Sequence, residues 1–289
     1  MAFKKIEGKT AEEWLNEGGY YLYDLGKYRE AIECFDKVLE IDPRNVDAWY
    51  NKGLALYYQG NYREAIEYFD KALEIDPMFV DAWNDKGNAL MNLGRYTEAI
   101  ICYDRALEID PNYVHAWNNK GLAPYYQGNY REAIEYLDKA LKIDPNYVNA
   151  WYNKGLALSD LGRYRGAIRC YNKALKIDPN CVNAWYNKGL ALMNLGRHTG
   201  AIICFIEAYR RKFMPYIIVG YIFIQIILIQ FLGWDWKIIA IINLIIIIYL
   251  VVKTIHSWVK NWIEDRRRKK EEFEREKRKI INELKKLCR

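Results

Sequence analysis

The chain has 289 residues, 52% of them hydrophobic and 28% charged, with 25 tyrosines, 10 tryptophans and a formal net charge of +6. That length and composition allow a large folded protein of about two domains. Its 6 cysteines include no C-x-x-C pair, and His115, His198 and His256 are scattered, so neither a metal cluster nor a redox pair is expected.

Residues 1–10 form a short polar extension without the apolar core of a secretory signal, so the part that follows is expected in the cytoplasm. From residue 11 the sequence is periodic. Trp49, Trp83, Trp117, Trp151 and Trp185 stand 34 residues apart, and so do Gly53, Gly87, Gly121, Gly155 and Gly189, and Pro43, Pro77, Pro111, Pro145 and Pro179. A fixed period of this size predicts a stacked-repeat solenoid. Its units fall at about 11–45, 46–79, 80–113, 114–147, 148–181 and 182–211.

Each unit reads as two helices of about 14 residues joined by a tight turn. In the second unit, Trp49, Gly53 and Leu56 share one face of the first helix, and Gly53 lets a neighbouring helix approach closely against the indole. Gly60-Asn61 makes the turn. Ala65, Phe69, Ala72 and Leu73 form the apolar stripe of the second helix, and Asp76-Pro77 ends it, because proline disfavours helix in the residue before it. One such hairpin cannot bury its own stripe, whereas stacked neighbours can.

Trp49, Gly53, Tyr62, Ala65, Phe69, Ala72 and Pro77, in that order and spacing, resemble the tetratricopeptide repeat. The resemblance spans roughly Ala11 to Arg211 and implies an all-α fold, a right-handed superhelical solenoid of about six helix-turn-helix repeats. One departure recurs. Lys52, Lys86, Lys120, Lys154 and Lys188 stand where the family usually has leucine, and each is expected to lay its methylenes on apolar surface with the ammonium in water.

In the family, one face of the first helices lines a concave groove that holds an extended peptide or a partner helix. The matching positions here are Asp47, Tyr50, Tyr57, Tyr58, Asn84, Asn88, Asn92, Asn118, Tyr125, Tyr126, Tyr152, Tyr186 and Asn194. Tyrosine and asparagine suit that role by combining apolar area with adaptable hydrogen bonding. The alternative is that the tyrosines fill space between first helices. None of these positions is basic, which disfavours the family's terminal-carboxylate clamp.

Three irregularities interrupt the pattern. Trp14 lies one residue earlier than the period demands. Pro124 stands inside a first helix, where a kink is expected because an interior proline removes a hydrogen bond. Gly166 and Gly200 replace a glutamate and should each weaken a second helix by about 1 kcal/mol. Cys34, Cys102, Cys170 and Cys204 share one repeat position, too far apart for disulfides.

After Arg210, Arg211 and Lys212 the composition changes. Residues 213–232 carry no charge, and residues 236–258 form a second run with Trp236 and Trp258 at its ends and Trp234 just before it. Each is long enough to cross a bilayer as a helix, and the tryptophans suit its interfaces. A buried soluble hairpin is the alternative. Arg210 to Lys212 and the bases after residue 259 flank the pair, so the positive-inside rule puts both termini in the cytoplasm. The lysine-, glutamate- and isoleucine-rich repeats resemble those of archaeal family members, which implies the cell membrane of a prokaryote. Residues 259–289 read as a basic charged helix, attractive to anionic lipid head groups; only Trp262 and Phe273 could stack on bases, which disfavours nucleic acid.

No nucleophile–base pair, phosphate loop or paired carboxylates stand outside the repeat pattern, so neither enzymatic activity nor a cofactor is expected. The sequence reading is a membrane-anchored adaptor that binds a protein or peptide in the solenoid groove. The alternative is a structural subunit of a homo-oligomeric membrane assembly built by the hairpin, with the repeats as spacers.

Overall fold

A computed structural model describes residues 5–212. These residues form an all-α solenoid. The helices are α1 (Ala11–Gly19), α2 (Tyr28–Ile41), α3 (Val46–Tyr58), α4 (Tyr62–Ile75), α5 (Val80–Asn92), α6 (Tyr96–Ile109), α7 (Val114–Tyr126), α8 (Tyr130–Ile143), α9 (Val148–Asp160), α10 (Tyr164–Ile177) and α11 (Val182–Asn194). A further helix, α12, covers residues 198–212. Each helix packs on those before and after it, and α3, α5, α7, α9 and α11 also touch in sequence. The odd-numbered helices therefore make one continuous row, and the even-numbered helices make the other face.

The turns follow from local chemistry. Gly60, Gly94, Gly128, Gly162 and Gly196 all have φ between 70° and 85°, a left-handed conformation that glycine adopts without a Cβ clash. At the other end of each unit, Asp42, Asp76, Asp110, Asp144 and Asp178 accept a backbone N–H from two residues on, through Oδ1, at 2.8–3.0 Å. That local bond competes with the helix and stops it. The indole N–H of each tryptophan from Trp49 to Trp185 then donates to the carbonyl of the proline six residues earlier, at 2.8–3.0 Å. The tryptophan thus ties the start of its own repeat to the end of the one before.

The repeated glycine of the first helix has a different neighbour from the one expected. A Cβ on Gly53 would lie 2.8 Å from the Phe69 ring, and one on Gly155 would lie 2.4 Å from Tyr171. The glycine accommodates a large side chain of the second helix, 16 residues on in each case, and not the indole.

The first repeat absorbs its irregularity in the backbone. Gly18 faces Phe35, one residue out of step with Gly53 and Phe69. Between them, Tyr20–Asp24 winds as π-helix, which is an α-helix carrying one extra residue. Trp14 remains buried, and its indole donates to the Ile6 carbonyl at 3.1 Å in place of a proline.

Pro124 does not break α7, which has the same 13-residue length as α3, α5, α9 and α11. The proline is in the last turn, where only one intrahelical bond is lost, and its carbonyl accepts from the N–H groups of Gln127 and Asn129.

The repeated lysines do not keep their ammonium groups in water. Lys52, Lys86, Lys120 and Lys154 pair with Asp36, Asp70, Asp104 and Asp138 of the preceding second helix, and their side chains are only 10–19% exposed. Lys188 has Asn172 at the corresponding place and lies over the Trp185 ring at 4.9 Å.

Cys34, Cys102, Cys170 and Cys204 are free and buried. Burial pushes the thiols of Cys34 and Cys102 up to about 11, so they are protonated at neutral pH. Among the described residues no helix is long and apolar enough to cross a membrane. The expected spans at 213–232 and 236–258, with Trp234, Trp236 and Trp258, and the tail at 259–289 lie outside the described residues. Of the flanking bases, Arg210 pairs with Glu207 at 2.9 Å. Arg211 is held back on the sixth repeat by Glu207 and the Pro179 carbonyl, with its guanidinium 5.0 Å from the Trp185 ring centre.

Candidate functional site: the row of first helices

Successive first helices are joined by hydrogen bonds between residues 35 positions apart, one more than the repeat. Tyr50 Oη donates to Asp85 Oδ2 at 2.7 Å. Asn119 donates to Asn84 Oδ1 at 3.1 Å, Asn153 to Asn118 Oδ1 at 2.9 Å, and Asn187 to the Tyr152 hydroxyl at 3.1 Å. The 35-residue step arises because the donor and acceptor sit on opposite flanks of adjacent helices. A second tier runs nearer the turns, where Asn92 donates to the Tyr57 hydroxyl at 3.1 Å and Tyr125 donates to Asp160 at 2.7 Å.

This network sorts the thirteen positions that the family resemblance assigned to a groove. Asp47, Tyr58, Asn92, Tyr126, Tyr186 and Asn194 are exposed. Tyr50, Tyr57, Asn88, Tyr125 and Tyr152 are half-buried, with one edge engaged by a neighbour. Asn84 and Asn118 are not surface groups at all. They are 6% and 4% exposed, and their side-chain oxygens accept from the next helix. The two asparagines are therefore struts between repeats, because a small amide satisfied on both sides fits there.

The residues that sequence reasoning passed over are the partners: Asp85, Asn119, Asn153 and Asn187. Their signal was a short polar side chain two positions after every repeated tryptophan. Tyr96 was also missed; it stacks on Tyr126 with ring centres 6.0 Å apart, as Tyr28 does on Tyr58 at 5.9 Å.

Between α3, α5 and α7 the row opens into a cavity of about 370 Å³, bordered by Tyr57, Asn88, Asn92, Asn119, Leu122 and Tyr126. Tyr103 closes its floor and donates to Asn88 Oδ1 at 2.9 Å. The border carries aromatic edges and amides with bonding capacity left over, since an amide has two donors and an acceptor. Beside it, burial raises the Asp85 carboxyl above its ordinary value, opposed by bonds from Tyr50, Asn84 and Asn88. Burial, with the Asp85 charge next, also raises the Tyr50 phenol, so Tyr50 stays a donor. Among the described residues no His, Cys, Asp and Glu group could hold a metal ion.

Models of the tetratricopeptide repeat match residues 16–78, 50–114, 102–135, 148–181 and 170–203, and a further repeat model matches 121–162. No curated protein matches the chain. Among solved structures, MamA is 26% identical with a TM-score of 0.51, covering 57% of this chain and 96% of its own. PilW, described as a widely conserved type IV pilus biogenesis factor, is 25% identical with a TM-score of 0.63, covering 71% of this chain and 94% of its own. The pilF protein of Pseudomonas aeruginosa, at 21% identity and a TM-score of 0.59 over 67% of this chain and 88% of its own, is alike in fold. With repeat models tiling residues 16–203 and the indole, glycine and Asp-Pro geometry recurring from the second unit to the sixth, this chain belongs over that stretch to the tetratricopeptide-repeat proteins.

Proposed function

We propose that the chain is a membrane-anchored adaptor whose solenoid holds an extended peptide, or one helix, of a partner protein along the first helices. The observation that carries the reading is the cavity between α3, α5 and α7, bordered by Tyr57, Asn88, Asn92 and Tyr126. Its tyrosines offer flat apolar area at low entropy cost, and its amides offer donors and acceptors to a peptide backbone. Around it, Asp47, Tyr58, Tyr186 and Asn194 extend the same face, and Tyr50, Tyr125 and Tyr152 present their ring edges. The absence of bases from this set favours a segment read through its backbone over one read through a terminal carboxylate.

The anchor is the pair of apolar runs at 213–232 and 236–258, and the bases at either side put both termini in the cytoplasm. Tethering would raise the effective concentration of the groove near other membrane proteins. The basic tail, residues 259–289, would lie against anionic lipid head groups.

Two measurements test this. A photocrosslinking residue at Tyr58 or at Tyr126 of the full-length chain, in native membranes, should capture the same partner; different or no partners from the two sites would refute a shared groove. Alkaline washing of those membranes should leave the chain in the pellet, and its release would remove the anchor.

A further inference from the structure

The second helices carry a charge gradient that the groove does not use. α2 has Glu30, Glu33, Asp36 and Glu40 against Arg29 and Lys37, and α4 has Glu64, Glu67, Asp70 and Glu74 against Arg63 and Lys71. α10 has Arg165, Arg169, Lys173 and Lys176 and no acid. None of these four bases forms an ion pair among the described residues. Arg169 stands where α4 and α8 have Glu67 and Glu135, and Gly166 stands where they have Glu64 and Glu132.

The glycine opens the surface. A Cβ built on Gly166 would touch Leu158 at 3.4 Å, so a longer side chain would cover that leucine. Without one, a cleft of about 1100 Å³ lies open, with Ile134, Trp151, Leu158 and Leu195 among its lining and Arg165, Arg169 and Lys173 around it. An apolar floor inside a basic rim fits an apolar side chain flanked by carboxylates.

The same chain displays that complement elsewhere. On α6, Ile101 is 57% exposed at the position where the flanking second helices carry Glu67 and Glu135. On the adjacent α4, Glu64, Glu67 and Glu74 are exposed and form no ion pair among the described residues. We infer that the cleft on α10 receives the acid-rich face of α4 and α6 of a second copy of this chain. The two surfaces sit on different repeats of one solenoid, so they join head to tail between molecules and not within one. Residues 259–289 hold an excess of bases, a charge that does not complement a basic rim.

The contact is independent of the peptide groove and of the apolar runs, and its test separates them. The full-length chain in nonionic detergent is measured by sedimentation velocity at about 50 mM and about 500 mM NaCl, across which electrostatic attraction is progressively screened. The protein mass should be at least double the protomer's at low salt and fall to the protomer's at high salt. Gly166→Glu and Arg169→Glu should each give the protomer at both salts with helicity and melting retained, since other repeats carry glutamate at these positions. An Arg169→Glu/Lys173→Glu chain and a Glu64→Lys/Glu67→Lys chain should each be protomeric alone and should co-assemble in equal amounts when mixed. A mass indifferent to salt, association that survives Gly166→Glu, or no complex in the mixture would overturn the inference.

Discussion

Tyr50 Oη donates to Asp85 Oδ2 at 2.7 Å, and Asp85 Oδ1 accepts from the side-chain amides of Asn84 and Asn88 at 3.0 Å each. Every donor is neutral, and no ion pair to Asp85 forms among the described residues. Desolvation therefore wins, and the carboxyl is raised above its ordinary value. Because the folded state holds this proton more tightly than the unfolded chain, stability falls as pH rises from the unfolded value through the folded one. It stays lowered above that.

Asp85→Asn should accordingly stabilise the solenoid at neutral pH, by about 1.4 kcal/mol for each unit of upward displacement. The other repeats already use Asn51, Asn119, Asn153 and Asn187 here, and Asn187 shows that the amide can donate to a tyrosine hydroxyl. Near pH 2–3, where Asp85 is protonated in both states, the charge-related gain should vanish. Melting at both pH values checks this; an equal shift at both would mean that the charge is irrelevant.

Tyr103 and Tyr171 occupy equivalent, fully buried places, yet among the described residues only Tyr103 has a partner for its hydroxyl. Asn88 accepts from Tyr103, whereas Leu156 stands at the corresponding position beside Tyr171, whose Oη has no partner among the described residues. A buried unpaired hydroxyl costs about 1–3 kcal/mol. Tyr171→Phe should raise the denaturation midpoint, and Phe35, Phe69 and Phe205 show that the site takes that ring. Tyr103→Phe should lower it, by orphaning one acceptance of Asn88. Opposite signs are the result to look for.

Gly155→Ala and Gly19→Ala make a second contrasted pair. A Cβ at Gly155 would meet the Tyr171 ring at 2.4 Å, and overpacking of this kind costs about 1–3 kcal/mol. At Gly19, which has φ −59°, nothing lies within 4 Å of a new Cβ. There alanine should stabilise by about 0.5–1 kcal/mol by restricting the unfolded chain. Urea denaturation of the two variants distinguishes a packing glycine from a merely tolerated one.

Pro124→Leu should stabilise α7 by about 1–3 kcal/mol, because it returns one backbone donor to the helix and relieves the proline ring. Leu56, Leu90, Leu158 and Leu192 occupy this place in the neighbouring repeats, so the side chain has precedent. A protected amide at position 124, together with slower exchange at its neighbours, would confirm the new bond. Unchanged exchange protection in the last turn of α7 would count against it.

The helix hairpins were legible in the sequence because their determinants are local. Gly60 needs only its own φ, Asp76 caps with its own side chain, and the large side chain of Phe69 recurs with the period as Tyr103, Leu137, Tyr171 and Phe205. The expected partner of Gly53 was wrong for a related reason: the spacing identifies a small residue on a face, but not which side chain fills the space. The π-helical Tyr20–Asp24 was visible only as a one-residue phase error at Trp14. That the backbone could absorb it without breaking the stack depended on the neighbouring helix α2.

The groove was read at lower resolution. The family resemblance assigned Tyr57, Asn92 and Tyr126, which border the cavity, to the groove, and it assigned Asn84 and Asn118 there too, whose side chains lie buried between repeats. Only stacking distinguishes a side chain that faces solvent from one that spans to the next repeat.

By itself the sequence determined the repeat, its period, its turns and the all-α class, because each depends on residues within one 34-residue unit. The tertiary structure alone decided the 35-residue ladder, the Lys–Asp pairs 16 residues apart and the open cleft at Gly166. Those features need a partner from another helix, and its distance and burial are fixed only when the units pack.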